Sequence, residues 1–143
     1  MTADLRIGVV GAAGRMGRMI VQVATATDGA VIAGASERPD SPALGQDAGM
    51  LAGLGELGVV LHDDAPALFA AVDAVIDFTS PDATAAHAAL AAEAGCALVS
   101  GTTGLGDAHR SALDAAAARV PVVWAPNMGT GVNLLIALVE QVA

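Results

Sequence analysis

The chain has 143 residues, 55% hydrophobic, 2% aromatic and 15% charged; that is room for one domain with its own core, too little for two catalytic domains, and far too apolar for a disordered chain. No run of about 18 uncharged apolar residues occurs, so the mean hydropathy of +0.62 reflects core cut into short pieces, and no membrane span is expected. A net charge of −9 with only six basic residues excludes duplex nucleic acid, whose binding requires basic side chains against the phosphates.

The elements follow in alternating periods. Leu5 to Val10 is a short, mostly apolar run bounded by Gly11, the pattern of a buried strand. Met16, Met19, Ile20, Val23 and Ala24 then fall on one stripe of a helix that should stop near Asp28-Gly29. Val31 to Ser36 reads as a second strand, and the Gly-rich stretch from Pro39 to Gly58 as a long functional or mobile loop. Val59 to Leu61 is expected as a short strand, with a short helix around Pro66 to Ala71 and a buried strand over Ala74 to Phe78. Ser80 as N-cap, Pro81 at the first helical position and Gly95 just past the end delimit an Ala-rich helix. Ala97 to Ser100 is a strand, Asp107 is expected to cap a helix running to about Arg119, Val122 to Ala125 is a strand, and a last helix starts near Val132. Strands alternating with helices in units of this size imply a parallel sheet with helices on both faces, a Rossmann-type doubly wound α/β fold.

The single Cys96 cannot form an internal disulfide, and His62, His87 and His109 have no metal-ligand spacing with it, so no metal site is expected. The first residues carry no basic n-region, and the apolar run after them is too short for a signal peptide, so the expected location is the cytoplasm. His87 and His109 read as surface or packing residues, Asp63 and Asp64 as helix caps, and Asp77 as a buried structural carboxylate. No nucleophile and base pair stands out.

The chemistry concentrates at strand ends. Gly11-Ala12-Ala13-Gly14-Arg15-Met16-Gly17 joins the first strand to the first helix. There Gly11 permits the tight turn, Gly14 lets backbone approach a pyrophosphate, and Gly17 lets the helix pack close. The helix start supplies free N–H groups and a positive dipole end to the anion. Glu37, 20 residues beyond Gly17, stands where an acidic side chain accepts hydrogen bonds from adenosine ribose hydroxyls. Arg38, next to it, has the chemistry to pair with a 2′-phosphate. Gly101-Thr102-Thr103-Gly104 and the Asn-containing turn from Ala125 to Asn133 follow later strands. Each loop alone also fits ordinary turn chemistry, but three Gly-rich loops on one sheet edge favour a dinucleotide site.

The stretches IGVVGAAGRMGR (Ile7 to Arg18), SER (Ser36 to Arg38), DAG (Asp47 to Gly49), IDFTSP (Ile76 to Pro81), GTTG (Gly101 to Gly104) and APNMGTGVN (Ala125 to Asn133) together resemble the dihydrodipicolinate reductases, also called 4-hydroxy-tetrahydrodipicolinate reductases, of bacterial lysine and diaminopimelate biosynthesis. The resemblance covers almost the whole chain. It implies an oxidoreductase using NADH or NADPH, with Gly11, Ala12, Ala13, Gly14, Arg15 and Met16 at the pyrophosphate, Glu37 at the adenosine ribose and Arg38 at the 2′-phosphate of NADP. It further implies Gly101, Thr102 and Thr103 against the nicotinamide side, with Ala125, Pro126, Asn127 and Met128 completing that wall. One departure is Gly129, where the family usually has Ser.

The same resemblance implies a second domain, with a His-His-rich motif, a Lys and a Ser-Gly-Thr turn that grips a dicarboxylate substrate, and assembly into a homo-oligomer, a tetramer. Nothing like those motifs occurs in this chain, so no catalytic residue is expected within it. The final apolar helix lacks a Gly, Lys or Pro stop signal, so residues 1–130 read as the dinucleotide domain and 131–143 as the start of a helix leading to an absent substrate domain. The alternative is a stand-alone, non-catalytic NAD(P)-binding module or redox sensor.

Overall fold

The structure is a computed structural model and describes residues 3–142. In chain order it contains β1 (Leu5–Val10), α1 (Arg15–Thr25), β2 (Ala30–Ser36), α2 (Ala48–Ala52), α3 (Ala65–Ala71), β3 (Ala74–Asp77), α4 (Pro81–Ala94), β4 (Ala97–Ser100), α5 (Asp107–Ala117), β5 (Val122–Trp124) and α6 (Thr130–Val142). The five strands form one parallel sheet in the order β2-β1-β3-β4-β5. The chain steps from β1 outward to β2, then returns past β1 to β3, so strand order reverses at β1. This is the expected Rossmann-type arrangement.

Parallel strands buried on both faces need apolar side chains on both, and two cores result. On one face Val10, Val75 and Leu98 pack under Leu68 and Phe69 of α3, Ala88 and Ala91 of α4, and Leu113 of α5. On the other, Ile7, Val9, Ile32 and Ala35 pack under Val21 and Ala24 of α1 and the small residues Ala48 and Ala52 around α2. Phe69, Leu68, Leu61 and Leu98 are almost wholly buried, each contributing about 1.5–3 kcal/mol of transfer free energy. Gly8 and Gly34 face each other across β1 and β2 directly beneath Leu68, whose close seat on the sheet leaves no room for a side chain there.

Four sequence expectations are corrected. The stripe of α1 does not face the core as a whole: Gly17, Val21 and Ala24 are buried, whereas Met16, Met19 and Val23 are exposed and border an open apolar depression with Ile7, Ile20 and Ile76. Gly17 and Ala24 let α1 approach the sheet closely, and Val21 between them fills the core.

Val59 to Leu61 forms no strand of the sheet; Val60 and His62 make only isolated bridges, to Asp47 and Ser36. The stretch from Pro39 to Gly58 is not an open loop. Its organiser is Asp47, which caps α2 by accepting the Gly49 and Met50 amides and also accepts those of Leu57 and Val59, at 2.9–3.1 Å. Local propensity could not reveal a carboxylate bonded ten and twelve residues downstream.

Finally, Gly106 and not Asp107 is the N-cap of α5, because His109 reaches back to accept the Gly106 N–H at Nδ1, 3.0 Å, while its Nε2 faces Asp82 at 2.9 Å. Other caps agree with expectation: Ser80 precedes α4 with Pro81 at its first position, Gly95 closes it in the left-handed conformation, and Asp64 caps α3. The last helix starts two residues earlier than expected, and Val132, Leu134, Leu138 and Val139 on it are exposed. Among the described residues no helix is long and apolar enough to cross a membrane.

Candidate functional site

The register of the sheet brings the candidate loops together. Ser36, Val10, Asp77, Ser100 and Trp124 are successive partners across β2, β1, β3, β4 and β5, so all five strands end in one row. The residues that step off that row are Glu37, Gly11, Phe78, Gly101 and Ala125, four of which begin loops singled out from the sequence. Ligands of open α/β sheets bind at such an edge, where strand order reverses.

A cleft of about 470 Å³ lies there, over the ends of β1, β2 and β3. Val10, Gly11 and Gly14 form one side, and Ser36, Glu37 and Arg38 another. Phe78, Thr79 and Ser80 supply the third, with His87 of α4 below them. The loops at Gly101 to Thr103 and Ala125 to Met128 stand farther along the same edge and do not line this cleft.

The glycine loop is shaped for close approach. Gly11 has φ of +65°, a conformation other residues rarely adopt. A Cβ on Gly17 would lie 2.6 Å from Ala12 Cα and closer still to the Gly11 carbonyl oxygen, so α1 can start this near the loop only with glycine there. Ala12 N–H donates to the Ser36 carbonyl at 3.2 Å, Ala13 N–H to Glu37 Oε1 at 3.0 Å, and Gly14 N–H to the Gly11 carbonyl at 3.0 Å. The amides of Arg15 and Met16 follow, in the first turn of α1, where helix geometry offers no internal acceptor. They are donors at the positive end of the helix dipole, the chemistry that binds an anion.

Glu37 is held from both sides: Oε1 accepts the Ala13 amide, Oε2 the Arg38 amide at 3.2 Å, and its own N–H donates to the His62 carbonyl at 3.0 Å. Its carboxylate is therefore fixed at the cleft with acceptor capacity to spare. Arg38 is exposed, and its Nε lies 2.9 Å from Asp40 Oδ1.

Beneath the β3 and β4 loops lies a polar network that sequence reasoning did not assemble. Asp77, wholly buried, accepts the Thr79 hydroxyl at 2.6 Å and lies 3.2 Å from His87 Nδ1. Burial pushes its carboxyl up, but hydrogen bonds from His87 and Thr79 together with the His87 charge outweigh it and hold Asp77 below the usual carboxylate range. His87 stacks on Phe69 with ring centroids 5.7 Å apart. It is thus a packing residue, as expected, and a cleft residue as well. Spacing could have hinted at this, since Ala83 and His87 sit four apart on the helix face turned to the cleft.

Thr102 is the hub of the adjoining loop. Its Oγ1 accepts the Thr79 amide at 3.0 Å and the Thr84 hydroxyl at 2.8 Å, and its carbonyl accepts Trp124 Nε1–H at 3.0 Å. Thr102 is buried, whereas Thr103 is exposed. Gly101 lies against the Phe78 ring so closely that an added Cβ would sit 2.7 Å from Cδ1 and nearer to other ring atoms. In the last loop Asn127 Oδ1 accepts the Gly129 amide at 2.7 Å, and Asn133 Nδ2 donates to the Asn127 and Gly129 carbonyls. A Cβ at Gly129 would stand 3.0 Å from Asn127 Oδ1.

Residues 5–128 match the family model described as dihydrodipicolinate reductase, N-terminus. Among curated relatives, the 4-hydroxy-tetrahydrodipicolinate reductase of Alkalilimnicola ehrlichii is 52% identical over 96% of this chain and 52% of its own length. That of Methylocella silvestris is 54% identical over 98% of this chain and 52% of its length. The chain spans about half the length of the curated relatives it matches. Two solved structures share the fold: dipicolinate-bound dihydrodipicolinate reductase from Paenisporosarcina sp. TG-14, with a TM-score of 0.68 and 19% identity over 87% of this chain and 48% of that one, and apo scyllo-inositol dehydrogenase from Lactobacillus casei, with a TM-score of 0.72 and 22% identity over 99% and 43%. With half-identical relatives along nearly its whole length and a family model over residues 5–128, the chain belongs to the dihydrodipicolinate reductase family, whose N-terminal part it matches.

Proposed function

We propose that this chain supplies the NADH- or NADPH-binding part of a 4-hydroxy-tetrahydrodipicolinate reductase. The observation that carries the reading is the pairing of the glycine loop with Glu37: a carboxylate fixed by the Ala13 amide offers a ribose acceptor at a cleft that Gly11 and Gly14 line, and the start of α1, with its first-turn amides, follows directly on Gly14. The residues present fit the cofactor. Gly11 to Met16 would hold the pyrophosphate, Glu37 the adenosine ribose and Arg38 a 2′-phosphate. Gly101, Thr103 and the backbone of Thr102, whose hydroxyl is already engaged, would face the nicotinamide, with Ala125 to Met128 as the wall beyond.

The bound cofactor supplies a hydride to a cyclic, dicarboxylate-bearing imine-type substrate formed after loss of water. This chain's own contribution is to bind and orient, which holds the reacting carbon in place and removes the entropy of bringing two molecules together. Residues 1–130 form the cofactor domain in this reading. Residues 131–143 begin the connection to a second domain that grips the dicarboxylate and donates the proton, in a protein that assembles from several copies.

The test is titration with NADH and NADPH. Glu37→Ala weakens NADH more than NADPH, and Arg38→Ala does the reverse; equal losses for both cofactors overturn the division of roles. Binding no tighter than millimolar for either cofactor overturns the reading as a whole.

A further inference from the structure

We infer that the adenosine end of this cleft favours the dinucleotide without a 2′-phosphate, NAD(H), and that Asp40 sets the choice by engaging Arg38. The inference rests on the cofactor reading above. Arg38 is the arginine that lines the cleft, and a guanidinium is the group suited to a phosphate dianion. In the structure that guanidinium is already paired, with Nε 2.9 Å from Asp40 Oδ1.

The pair is held by more than two flexible side chains. Arg38, Pro39, Asp40 and Ser41 form a turn closed by the Ser41 amide donating to the Arg38 carbonyl at 3.0 Å. Pro39 stands at its second position, where the ring fixes φ. Arg38 and Asp40 therefore leave the backbone from a stiff turn, and the entropy lost on pairing is smaller than for an ordinary surface pair.

The surrounding charge points the same way. Glu37 and Asp63 line the cleft along with Arg38, and Asp40 pairs with Arg38, so this end of the molecule carries three carboxylates to one guanidinium. The chain contains no lysine that could lend a second, mobile cation. A 2′-phosphate entering here would meet a guanidinium whose Nε–H and charge Asp40 already engages, and would have to sit close to that carboxylate, because both residues are anchored in one turn. An adenosine ribose with two free hydroxyls meets no such opposition and gains Glu37 as acceptor.

The test measures dissociation constants for NADH and NADPH in the protein as its gene encodes it, for the wild type, Asp40→Asn, Arg38→Ala and the double variant. The wild type should bind NADH at least about fivefold more tightly than NADPH, and Asp40→Asn should lower the NADPH-to-NADH ratio of dissociation constants by about threefold to tenfold, the range expected from freeing an exposed guanidinium and removing a nearby like charge. In the Arg38→Ala background the Asp40→Asn effect should shrink by half or more on a logarithmic scale. Raising the salt concentration should narrow the wild-type preference, since both charges are exposed.

A wild type that prefers NADPH, or an Asp40→Asn ratio within twofold of the wild type, overturns the inference and leaves the cofactor reading standing. An Asp40→Asn effect undiminished by Arg38→Ala refutes engagement of Arg38 as the cause. A wild type that binds neither dinucleotide removes the cofactor reading and this inference with it.

Discussion

Gly17→Ala is the sharpest perturbation of the proposed site, because the added atom meets backbone and not a side chain that can turn away. Its Cβ would lie 2.6 Å from Ala12 Cα and 2.8 Å from the Ala12 carbonyl carbon, nearer still to the Gly11 carbonyl oxygen. Relieving this to an ordinary contact needs a displacement of about 1 Å of either the glycine loop or the start of α1. Helix propensity alone would favour alanine by about 1 kcal/mol, while overpacking a rigid contact costs about 1–3 kcal/mol and backbone that cannot rotate aside belongs at the upper end. The expected result is a net loss of about 1–2 kcal/mol, a fall in melting temperature of several degrees for a domain of this size.

A functional consequence accompanies the stability loss. The Arg15 and Met16 amides would move with α1, and weakening hydrogen bonds to a charged pyrophosphate, each about 1.5–3 kcal/mol, should lower dinucleotide affinity by about tenfold or more. Urea unfolding and dinucleotide titration of the same variant check both parts. Gly131→Ala, another helical glycine whose added methyl meets nothing within 4 Å, is the control and should leave dinucleotide binding unchanged while raising stability by no more than about 1 kcal/mol. A Gly17→Ala protein as stable as the wild type, with undiminished dinucleotide binding, would refute the claim that close approach of α1 builds the anion site.

Asp77 and His87 form a buried pair, so His87→Leu should destabilise the fold by about 2–4 kcal/mol by leaving a buried carboxylate under-bonded; a loss below about 0.5 kcal/mol in urea unfolding argues against it. Asp47 is held below its ordinary pKa first by the Leu57 amide, opposed by desolvation and reinforced by the Met50, Val59 and Gly49 amides. Because its folded-state pKa is lowered, its contribution is present above the unfolded value of about 3.9 and is lost as pH falls through the folded value. Asp47→Asn should therefore flatten the acid side of the stability profile below about pH 5, and an unchanged profile would count against the role assigned to it. Cys96 is buried, and burial first, with the charge of Asp73 second, pushes its thiol up to about 11. At pH about 8 it should react with a thiol reagent only as fast as the protein opens, and reaction at the rate of a free thiol would contradict its burial.

Much of the fold was legible because the signals were local. The strand at Leu5 to Val10 needed only its apolar run and the following glycine, and the Ala-rich helix after Ser80 carried its own start and stop residues. The candidate loops were legible for the same reason: Gly11 and Glu37 owe their meaning to strand ends, which hydrophobic period locates. What period could not reveal was which face a stripe would turn inward. In α1 Met16, Met19 and Val23 are exposed while Gly17, Val21 and Ala24 turn to the sheet, since Gly17 and Ala24 allow the helix to lie close to it.

The sequence by itself determined the alternation of strands and helices, the glycines at strand ends and the family to which they belong, because each of these is written within a few consecutive residues. Only the tertiary structure decided what meets across long separations. The row of strand ends from Ser36 to Trp124, the Ala13 amide on the Glu37 carboxylate, the Asp77 and His87 pair under the cleft, and Asp47 gathering amides from both sides of a turn all depend on register and chain reversal. Hydrogen bonds join groups near in space whatever their distance in the chain, and a linear pattern carries no record of that distance once the chain has folded back on itself.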